Sequence, residues 1–370
     1  MKILLAPDKF KGSISAQEVC QALSKGIQKI HPNMEILSKP LADGGDGSLA
    51  VLDHYFTLKT ISKIVQDPLG RPIKAHYKMA DKSAYIEMSV ASGLALLKPT
   101  ERNCMHTTSY GTGELIRDAL EKGATTIFLF IGGSATNDGG IGIANALGYQ
   151  FYDSEDQLLA PIGRNLVLID RIDKSALSTD LKSIQVKVIC DVNNPFYGKN
   201  GAAYIYAPQK GASEEEVIHL DRGLKSLANC LTKYAYSDVA TVPGAGAAGG
   251  VGGGAMAFLH ARLQSGIQTF LDITQVESVL KDCDLIITGE GKIDRQTEQG
   301  KVISGVCQLA QKYDKPVIAV CGDADFPISN SLGIQDIYTI RSRSNSLEEA
   351  MQIAADKLMA IGESIAYNLH

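Results

Sequence analysis

The sequence predicts an α/β protein with two domains, and three observations lead to this prediction. Apolar, strand-like runs alternate with amphipathic helical patterns at both ends of the chain. The middle of the chain contains the alternating patterns of antiparallel strands and several loops rich in glycine. At 370 residues, the chain also exceeds the size at which a single hydrophobic core usually stops growing.

The first part of the chain shows the alternation of a doubly wound sheet. Apolar runs at residues 3–6 and 36–37 predict two strands. A capping box of Ser15 and Glu18 predicts where the helix between these strands begins. The apolar residues of that helix recur at helical spacing: Ala16, Val19, Cys20, Leu23, Ile27 and Ile30. A second helix is predicted over residues 49–55.

The middle of the chain follows a different pattern. Between about residues 61 and 90, apolar and polar residues alternate in short runs, which indicates antiparallel strands rather than βα units. The apolar runs 127–131 and 186–190 predict buried strands. Amphipathic spacing predicts helices at 114–122 and 217–231.

The last part of the chain returns to the alternation of the first. It contains predicted strands at 285–288, 317–320 and 337–340, a helix at 302–312 and a long final helix from Ser346. We therefore expect a Rossmann- or flavodoxin-like α/β domain formed by both chain ends, residues 1–60 plus 281–370. Residues 61–280 would form a second α/β domain with a mixed sheet, inserted into the first. The active site would lie in the cleft between the two domains.

Composition excludes several classes of protein. Hydrophobic residues make up 45% and charged residues 21%, which is typical of globular proteins rather than disordered ones. A formal charge of -5 and the lack of a Lys/Arg stripe argue against nucleic acid as a partner. No apolar run is long enough to span a membrane, and the N-terminal apolar run is too short for a secretory signal. The seven cysteines are scattered without metal-ligand spacing, so we expect reduced thiols and a cytoplasmic protein.

The most informative feature is the loop 132–140, which follows the predicted strand 127–131. Glycine pairs flank four polar side chains in this loop: Ser134, Thr136, Asn137 and Asp138. Open α/β sheets place ligands beyond the carboxyl ends of their strands, and glycines let backbone N–H groups approach an anion. These four residues are therefore candidates for binding substrate or phosphate. The alternative is that Asp138 or Thr136 only caps the following helix, but a cap needs one such residue.

Other polar loops occupy similar positions in the predicted elements. Lys9, Lys11 and Ser13 lie between the first strand and a helix start, where a phosphate or carboxylate is favoured. Asp191 follows a buried strand, so its carboxylate could accept a proton from a substrate hydroxyl. Candidates for nucleotide, phosphate or metal contacts in two further loops are Asp43, Gly289, Glu290 and Asp294.

The glycine cluster 243–254 contains a formal GxGxxG match at 244–249. The preceding residues 239–242 make a poor strand, so the match is weak evidence for a dinucleotide site. Gly246 and Gly249 are better explained by close helix packing or by backbone contact with phosphate. The chain contains no GxxxxGK[ST] motif, which argues against a P-loop nucleotidase.

Six motifs in this order give the chain a strong resemblance to the bacterial glycerate kinase family. They lie at residues 6–13, 42–47, 132–140, 208–212, 243–250 and 288–291, so the resemblance runs nearly end to end. It implies ATP-dependent, Mg²⁺-assisted phosphorylation of D-glycerate, with 2-phosphoglycerate as the expected product. Asp46 stands where the family commonly has Glu, which puts any direct metal role of Asp46 in doubt.

Phosphoryl transfer depends mostly on positioning and on neutralising charge, and this guides the roles we assign. Lys9 is expected to contact phosphate or the glycerate carboxylate, and Asp191 to accept the proton of the attacking hydroxyl. The loop 134–138 is expected to hold substrate and phosphate. Asp43, Glu290 and Asp294 are candidates for placing metal or nucleotide.

Two functions from other classes stay open at the level of sequence. The glycine match at 244–249 is the only support for a nicotinamide-dependent oxidoreductase acting on a small hydroxy acid. A non-catalytic binder of small anions would also be compatible with two lobes and a cleft, and it would bind without releasing ADP.

Overall fold

The computed structural model describes residues 1–45, 47–177, 181–234, 238–293, 301–324, 332–341, 346, 349 and 353–369. The chain divides into two compact units. Unit 1 comprises Met1–Asp43, Ala50–Tyr55 and Ser265–His370, and unit 2 comprises Gly44–Leu49 and Phe56–Gln264. Compact units are not the same as independently folding domains, so the domain boundaries near residues 60 and 280 stay a prediction.

Unit 1 contains a parallel sheet of five strands. The strands are β1 (Lys2–Pro7), β2 (Glu35–Ser38), β11 (Leu285–Ile293), β12 (Val317–Ala324) and β13 (Ile334–Thr339). Their order is β13-β12-β11-β1-β2, and every neighbouring pair is parallel. Strand order reverses between β1 and β11, because β2 lies on one side of β1 and all later strands on the other. Such a reversal is where doubly wound sheets bind their ligands.

The helices of unit 1 bury apolar faces. They are α1 (Ala16–Ile30), most of α2 (Ser48–Tyr55), α9 (Gly266–Thr274), α10 (Val276–Leu280), α11 (Val302–Lys312) and α12 (Ala354–Tyr367). The predicted capping box of Ser15 and Glu18 is present at the start of α1. Helices α1 and α12 pack closely, and a Cβ added at Gly26 would lie 2.0 Å from the carbonyl oxygen of Met359. Residues 347, 348 and 350–352 of the predicted final helix lie outside the described residues.

Unit 2 contains a mixed sheet of six strands. They are β3 (Lys59–Gln66), β4 (Pro72–Ala80), β5 (Ser83–Glu87), β6 (Thr126–Phe130), β9 (Gln185–Ile189) and β10 (Arg262–Gln264), with the order β10-β9-β6-β5-β4-β3. The pairs β3–β4 and β4–β5 are antiparallel, as the alternating pattern predicts. Strands β5, β6, β9 and β10 are mutually parallel, so their carboxyl ends lie along one edge of the sheet.

Helices and a small two-stranded sheet complete unit 2. The helices are α3 (Ser89–Ser92), α4 (Tyr110–Glu121), α5 (Ile141–Ala146), α6 (Ala202–Tyr206), α7 (Glu214–Lys233) and α8 (Ala247–Leu259). In the small sheet, β7 (Gln150–Tyr152) pairs antiparallel with β8 (Arg171–Asp173). Helix α8 begins inside the glycine cluster and is kinked, because Ala248, Gly249 and Gly250 have left-handed backbone angles. In the part of the chain that the structure describes, no helix combines the length and apolar character that crossing a membrane requires.

Candidate functional site

Unit 1 has a cavity of about 390 Å³ at the carboxyl edge of its sheet, a volume typical of small-molecule sites. The cavity lies at the reversal of strand order between β1 and β11. Its lining includes five predicted site residues: Lys9, Lys11, Ser13, Asp43 and Glu290. These residues come from opposite ends of the chain, and the parallel pairing of β1 with β11 brings them together.

The loop after β1 is shaped by backbone hydrogen bonds. The Asp8 amide donates to the Gly289 carbonyl at 2.8 Å, which continues the pairing of β1 with β11. Phe10 and Ile14 then form an isolated bridge around a tight turn, and Phe10 is buried. Gly289 itself lies within the sheet, where an added Cβ would lie 2.3 Å from the Val320 carbonyl oxygen. Its observed role is therefore to allow close strand packing.

Asp8 is an acid of this cavity with a strongly raised pKa. Its side chain is buried, and burial raises the pKa of its carboxyl well above the ordinary value. The Asp43 and Glu290 carboxylates raise this pKa further, whereas the Lys9 amide and ammonium lower it. The Lys9 amide donates to Asp8 Oδ1 at 2.6 Å. Negative charge therefore accumulates here at a cost, and a bound cation would relieve that cost.

The opposite wall of the cavity comes from β11, β12 and the start of α11. Glu290 is buried on β11, and Asp323 lies on β12, where it pairs with Arg341. Lys292 and Lys301 add positive charge to the same lining. Asp294, the other predicted metal candidate, lies outside the described residues.

In unit 2, the loop 132–140 leaves the carboxyl end of β6, as predicted from the sequence. Several contacts fix its path. The Ala135 amide donates to the Ser92 carbonyl at 2.9 Å, the Thr107 hydroxyl donates to the Ala135 carbonyl at 3.0 Å, and the Gly139 amide donates to the Gly249 carbonyl at 3.0 Å. From Ser134 to Gly140 the loop is therefore buried and held by hydrogen bonds.

Asp138 holds this loop to the start of two helices. One carboxylate oxygen accepts from the Ser109 amide and hydroxyl, each at 2.7 Å, and from the Gly142 amide at 3.3 Å. The other accepts from the Gly140 amide at 3.2 Å. Burial raises the pKa of Asp138, although these hydrogen bonds oppose the rise. The alternative reading of a helix-capping residue thus describes the observed contacts of Asp138.

Thr136 and Asn137 have a different environment from Asp138. Both side chains are fully buried. Among the described residues, Thr136 Oγ1 and both polar atoms of the Asn137 side chain have no hydrogen-bond partner. Leaving such groups unpaired is costly, so buried polar atoms of this kind mark a place where a ligand can complete the hydrogen bonding.

Lys210 approaches the same loop from the short helical turn Pro208–Lys210. Its ammonium donates to Ser134 Oγ at 2.8 Å and to the Thr136 carbonyl at 2.7 Å. The side chain is buried, and burial lowers its pKa to about 8. The residue after Lys210 has to be a glycine. Gly211 turns the chain with a φ of 88°, and a Cβ at this position would collide with the Arg102 carbonyl oxygen.

Asp191 lies two residues beyond β9, the strand that pairs with β6. Phe130 is the register partner of Ile189, so Asp191 and the loop 132–140 leave the same edge of the sheet from neighbouring strands. Gly246 and Gly249 allow close packing beside this edge. Added Cβ atoms would lie 2.2 Å from the Pro195 carbonyl oxygen and 2.1 Å from the Thr136 carbonyl oxygen, respectively.

The structure thus gathers the predicted residues into two sets, one in each unit. Sequence reasoning did not select Asp8, Lys210 or Ser109. Asp8 directly precedes Lys9 at the end of a strand, which is a signal that could have been used. Lys210 lies in the motif 208–212, one of the six that carry the family resemblance, which is also a signal that could have been used.

Comparison with known proteins decides the family. The family model described as "Glycerate kinase family" matches residues 3–370. The chain belongs to the glycerate kinase family. It is similar to glycerate 2-kinase of Escherichia coli K12, at 43% identity over 100% of this chain and 98% of that protein. It is also 40% identical to a glycerate kinase of Bacillus cereus, over 99% of this chain and 97% of the relative.

A solved structure supports the same assignment. The crystal structure of a protein assigned as glycerate kinase 2 from Salmonella typhimurium LT2 matches with a TM-score of 0.86 and 40% identity. The match covers 100% of this chain and 98% of that one, and it confirms the predicted α/β fold class. As a member of the glycerate kinase family, the chain is a phosphotransferase with an alcohol group as acceptor. The family and these relatives give no support to the oxidoreductase alternative.

Proposed function

We propose that this chain transfers the γ-phosphoryl group of ATP to the 2-hydroxyl of D-glycerate, which gives 2-phosphoglycerate and ADP. Family membership supports ATP-dependent phosphorylation of glycerate. The name of the Escherichia coli relative, glycerate 2-kinase, supports the 2-hydroxyl as the acceptor. The scattered cysteines, all seven of which are unpaired and within the described residues, support a place in the cytoplasm.

One observation carries the assignment of the ATP phosphates to unit 1. The cavity at the β1–β11 reversal is lined by four lysines and four carboxylates. A polyphosphate chain needs cations around its oxygens, and its bound metal needs carboxylate or phosphate oxygens. The lining offers both kinds of group, whereas a site for a neutral or purely anionic ligand has no need for so many acids. Lys9 and Lys11 contact the phosphates in this proposal, and Ser13 adds a hydroxyl donor.

The residues of this cavity fit a Mg²⁺ ion that is shared with ATP. Asp8, Asp43 and Glu290 have the hard oxygen atoms that Mg²⁺ prefers. Burial raises the pKa of Asp8, and the Asp43 and Glu290 carboxylates raise it further. Within the described part of the chain, no three acids, histidines or cysteines converge as a complete metal cage. That fits Mg²⁺, which proteins usually hold through one or two carboxylates together with substrate phosphates. When bound, the ion would neutralise charge on the transferred phosphoryl group.

The residues of unit 2 serve the acceptor in this proposal. Asp191 accepts the proton of the glycerate 2-hydroxyl while the hydroxyl oxygen attacks the γ-phosphorus. The new O–P bond forms as the bond to the bridging oxygen breaks, and ADP leaves with that oxygen. The loop 134–138 holds glycerate, with Thr136 and Asn137 as the side chains that have donors and acceptors to offer.

A coupled assay of ADP release tests the reaction. We expect ADP release with D-glycerate, ATP and Mg²⁺, a much lower rate with L-glycerate, and no NADH formation with NAD⁺ and glycerate. NMR of the product should show phosphate on the 2-oxygen. No ADP release with either enantiomer would contradict the activity, and 3-phosphoglycerate as the product would contradict the acceptor position.

A further inference from the structure

Lys210 carries a positive charge into the interior of unit 2 without a matching negative partner. Its side chain is only 3% exposed. Its ammonium donates to two neutral oxygens, Ser134 Oγ and the Thr136 carbonyl, which leaves one of its three N–H groups for another acceptor. Within the described residues, Lys210 takes part in no ion pair. A buried cation in this situation is costly unless something compensates its charge.

The titratable groups that face Lys210 do not supply that compensation. Cys104 is a buried thiol that donates to the Ala207 carbonyl, and burial raises its pKa to about 11, so it is neutral near pH 8. Asp138 is the carboxylate whose negative charge acts on Lys210. Its carboxylate already accepts four hydrogen bonds from Ser109, Gly140 and Gly142, and none from Lys210.

Unused polar atoms lie on the same loop that Lys210 contacts. The Thr136 carbonyl accepts a hydrogen bond from Lys210, whereas the Thr136 hydroxyl has no hydrogen-bond partner among the described residues. The next side chain, Asn137, has an unpartnered amide in the same set. One ammonium N–H, one hydroxyl and one amide NH₂ form a donor set suited to an oxyanion.

We propose that Lys210, Thr136 and Asn137 form a subsite for an oxyanion, and that its occupant is the carboxylate of glycerate. This inference rests on the proposed function. A carboxylate carries one negative charge, which one buried ammonium balances, whereas a phosphoryl group would bring excess charge into the same space. The subsite lies on the loop after β6, and Asp191 follows the neighbouring β9, so the carboxylate and the hydroxyl of a small hydroxy acid can be held from adjacent strand ends.

Proton uptake provides a direct signature of this subsite. Because the pKa of Lys210 is about 8, its amine is partly neutral at and above that pH when no ligand is bound. An anion that binds beside it favours the protonated form and raises the pKa, so binding takes up a proton. Affinity for the anion should therefore fall as the pH rises through about 8.

The test is calorimetric titration of the full chain at pH 8 in two buffers of different ionisation enthalpy. D-glycerate and sulfate are titrated separately, because neither titrates near pH 8 and sulfate imitates a phosphoryl group. We expect D-glycerate to cause an uptake approaching about half a proton per chain, and sulfate to cause none. Proton uptake with sulfate but not with D-glycerate would support an oxyanion subsite but would overturn the carboxylate as its occupant, in favour of phosphoryl oxygens. No uptake with either probe would overturn the subsite.

Variants test the same subsite through kinetics. Lys210→Met should abolish the proton uptake and raise the KM for D-glycerate by about 10- to 100-fold, with the KM for ATP little changed. Lys225→Met, which alters an exposed lysine of α7, is the matched control and should behave as the wild type. If Lys210→Met does not fold, the subsite is still tested by the KM of Thr136→Val for D-glycerate and by the proton uptake of the wild type. An unchanged KM for D-glycerate in a folded Lys210→Met would overturn the subsite while leaving the kinase activity intact. Absence of ADP release in the wild type would instead overturn the proposed function.

Discussion

Two loops follow parallel strands at comparable positions, yet one lines an accessible cavity and the other is buried. The loop after β1 in unit 1 places Lys9, Lys11 and Ser13 around an accessible cavity at a reversal of strand order. The loop after β6 in unit 2 is buried, and its sheet has no such reversal because strand order there runs in one direction. Position after a strand therefore predicts where chemistry can occur, and the hydrogen-bond partners of a polar side chain indicate whether it serves the fold or a ligand.

The same contrast exists inside the loop 132–140. The Asp138 carboxylate accepts hydrogen bonds from Ser109 and from backbone amides at the start of α5. Its neighbours Thr136 and Asn137 are equally buried, but the described structure gives their side-chain polar atoms no partner. Adjacent residues of similar polarity can thus have opposite roles, which makes substitutions in this loop informative.

The largest effect is expected from Asp191→Asn. If Asp191 accepts the proton of the attacking hydroxyl, an amide cannot replace it, and kcat should fall by about 10²- to 10⁴-fold. The KM values and thermal stability should change little, because Asp191 lies beyond the strand and is only partly buried. Steady-state kinetics check this, with the exposed Asp336→Asn as the control. A kcat within a few-fold of the wild type would remove Asp191 from catalysis.

Asp138→Asn should act on the fold. Its amide NH₂ group would face backbone N–H donors that now bond a carboxylate oxygen, so we expect a loss of about 2–3 kcal/mol in the free energy of unfolding. Urea unfolding followed by circular dichroism measures this change. Ser109→Ala, which removes a single hydroxyl from the same network, should cost less. An Asp138→Asn protein of full stability but without glycerate binding would reverse the role assigned to Asp138.

Lys9→Met should sharpen the contrast from the side of unit 1. Removing one ammonium from the cavity should raise the KM for ATP by about 10-fold, since a hydrogen bond to a charged group contributes roughly 1.5–3 kcal/mol and neighbouring lysines remain. Stability should stay close to that of the wild type. Kinetics with ATP as the varied substrate provide the measurement, and Lys25→Met on the exposed face of α1 is the control. If only the KM for D-glycerate changed, glycerate rather than the nucleotide would bind beside Lys9.

The smallest effect is expected from Asp8→Asn, measured without divalent cations. The folded-state pKa of Asp8 is raised above its unfolded value, so its favourable contribution is complete at low pH and is lost as the pH rises through the folded pKa. Above the folded-state pKa of Asp8, Asn should therefore stabilise the protein, and the gain should vanish in acid. Thermal unfolding across pH tests this. A variant that is less stable above this pKa would show that the carboxylate is compensated in the cavity.

Local patterns predicted much of this molecule. The capping box of Ser15 and Glu18, the antiparallel strands of unit 2 and the loop after β6 all follow from neighbouring residues, and the structure shows each of them. These features depend on spacing and on backbone preference, which a sequence displays directly.

Contacts between distant segments could not be read in the same way. Lys210 and Thr136 are 74 positions apart, and Asp138 and Ser109 are 29 apart, so their pairing depends on how the helices pack. The sequence showed a lysine near a glycine and an acid in a polar loop, without indicating which charge would be buried. The raised pKa of Asp8 likewise depends on its burial and on the charges of Asp43 and Glu290, which belong to two other segments of the chain.

Separate binding of the two substrates tests the central claim most directly. Two ligands are titrated separately into each of the variants Lys9→Met and Asn137→Leu. One ligand is a non-hydrolysable ATP analogue together with Mg²⁺, and the other is D-glycerate alone. The affinities are compared with those of the wild type. We expect Lys9→Met to weaken only the binding of the nucleotide and Asn137→Leu to weaken only the binding of glycerate. If Asn137→Leu instead weakens the nucleotide and leaves glycerate binding unchanged, the division of substrates between the two sets of residues is contradicted.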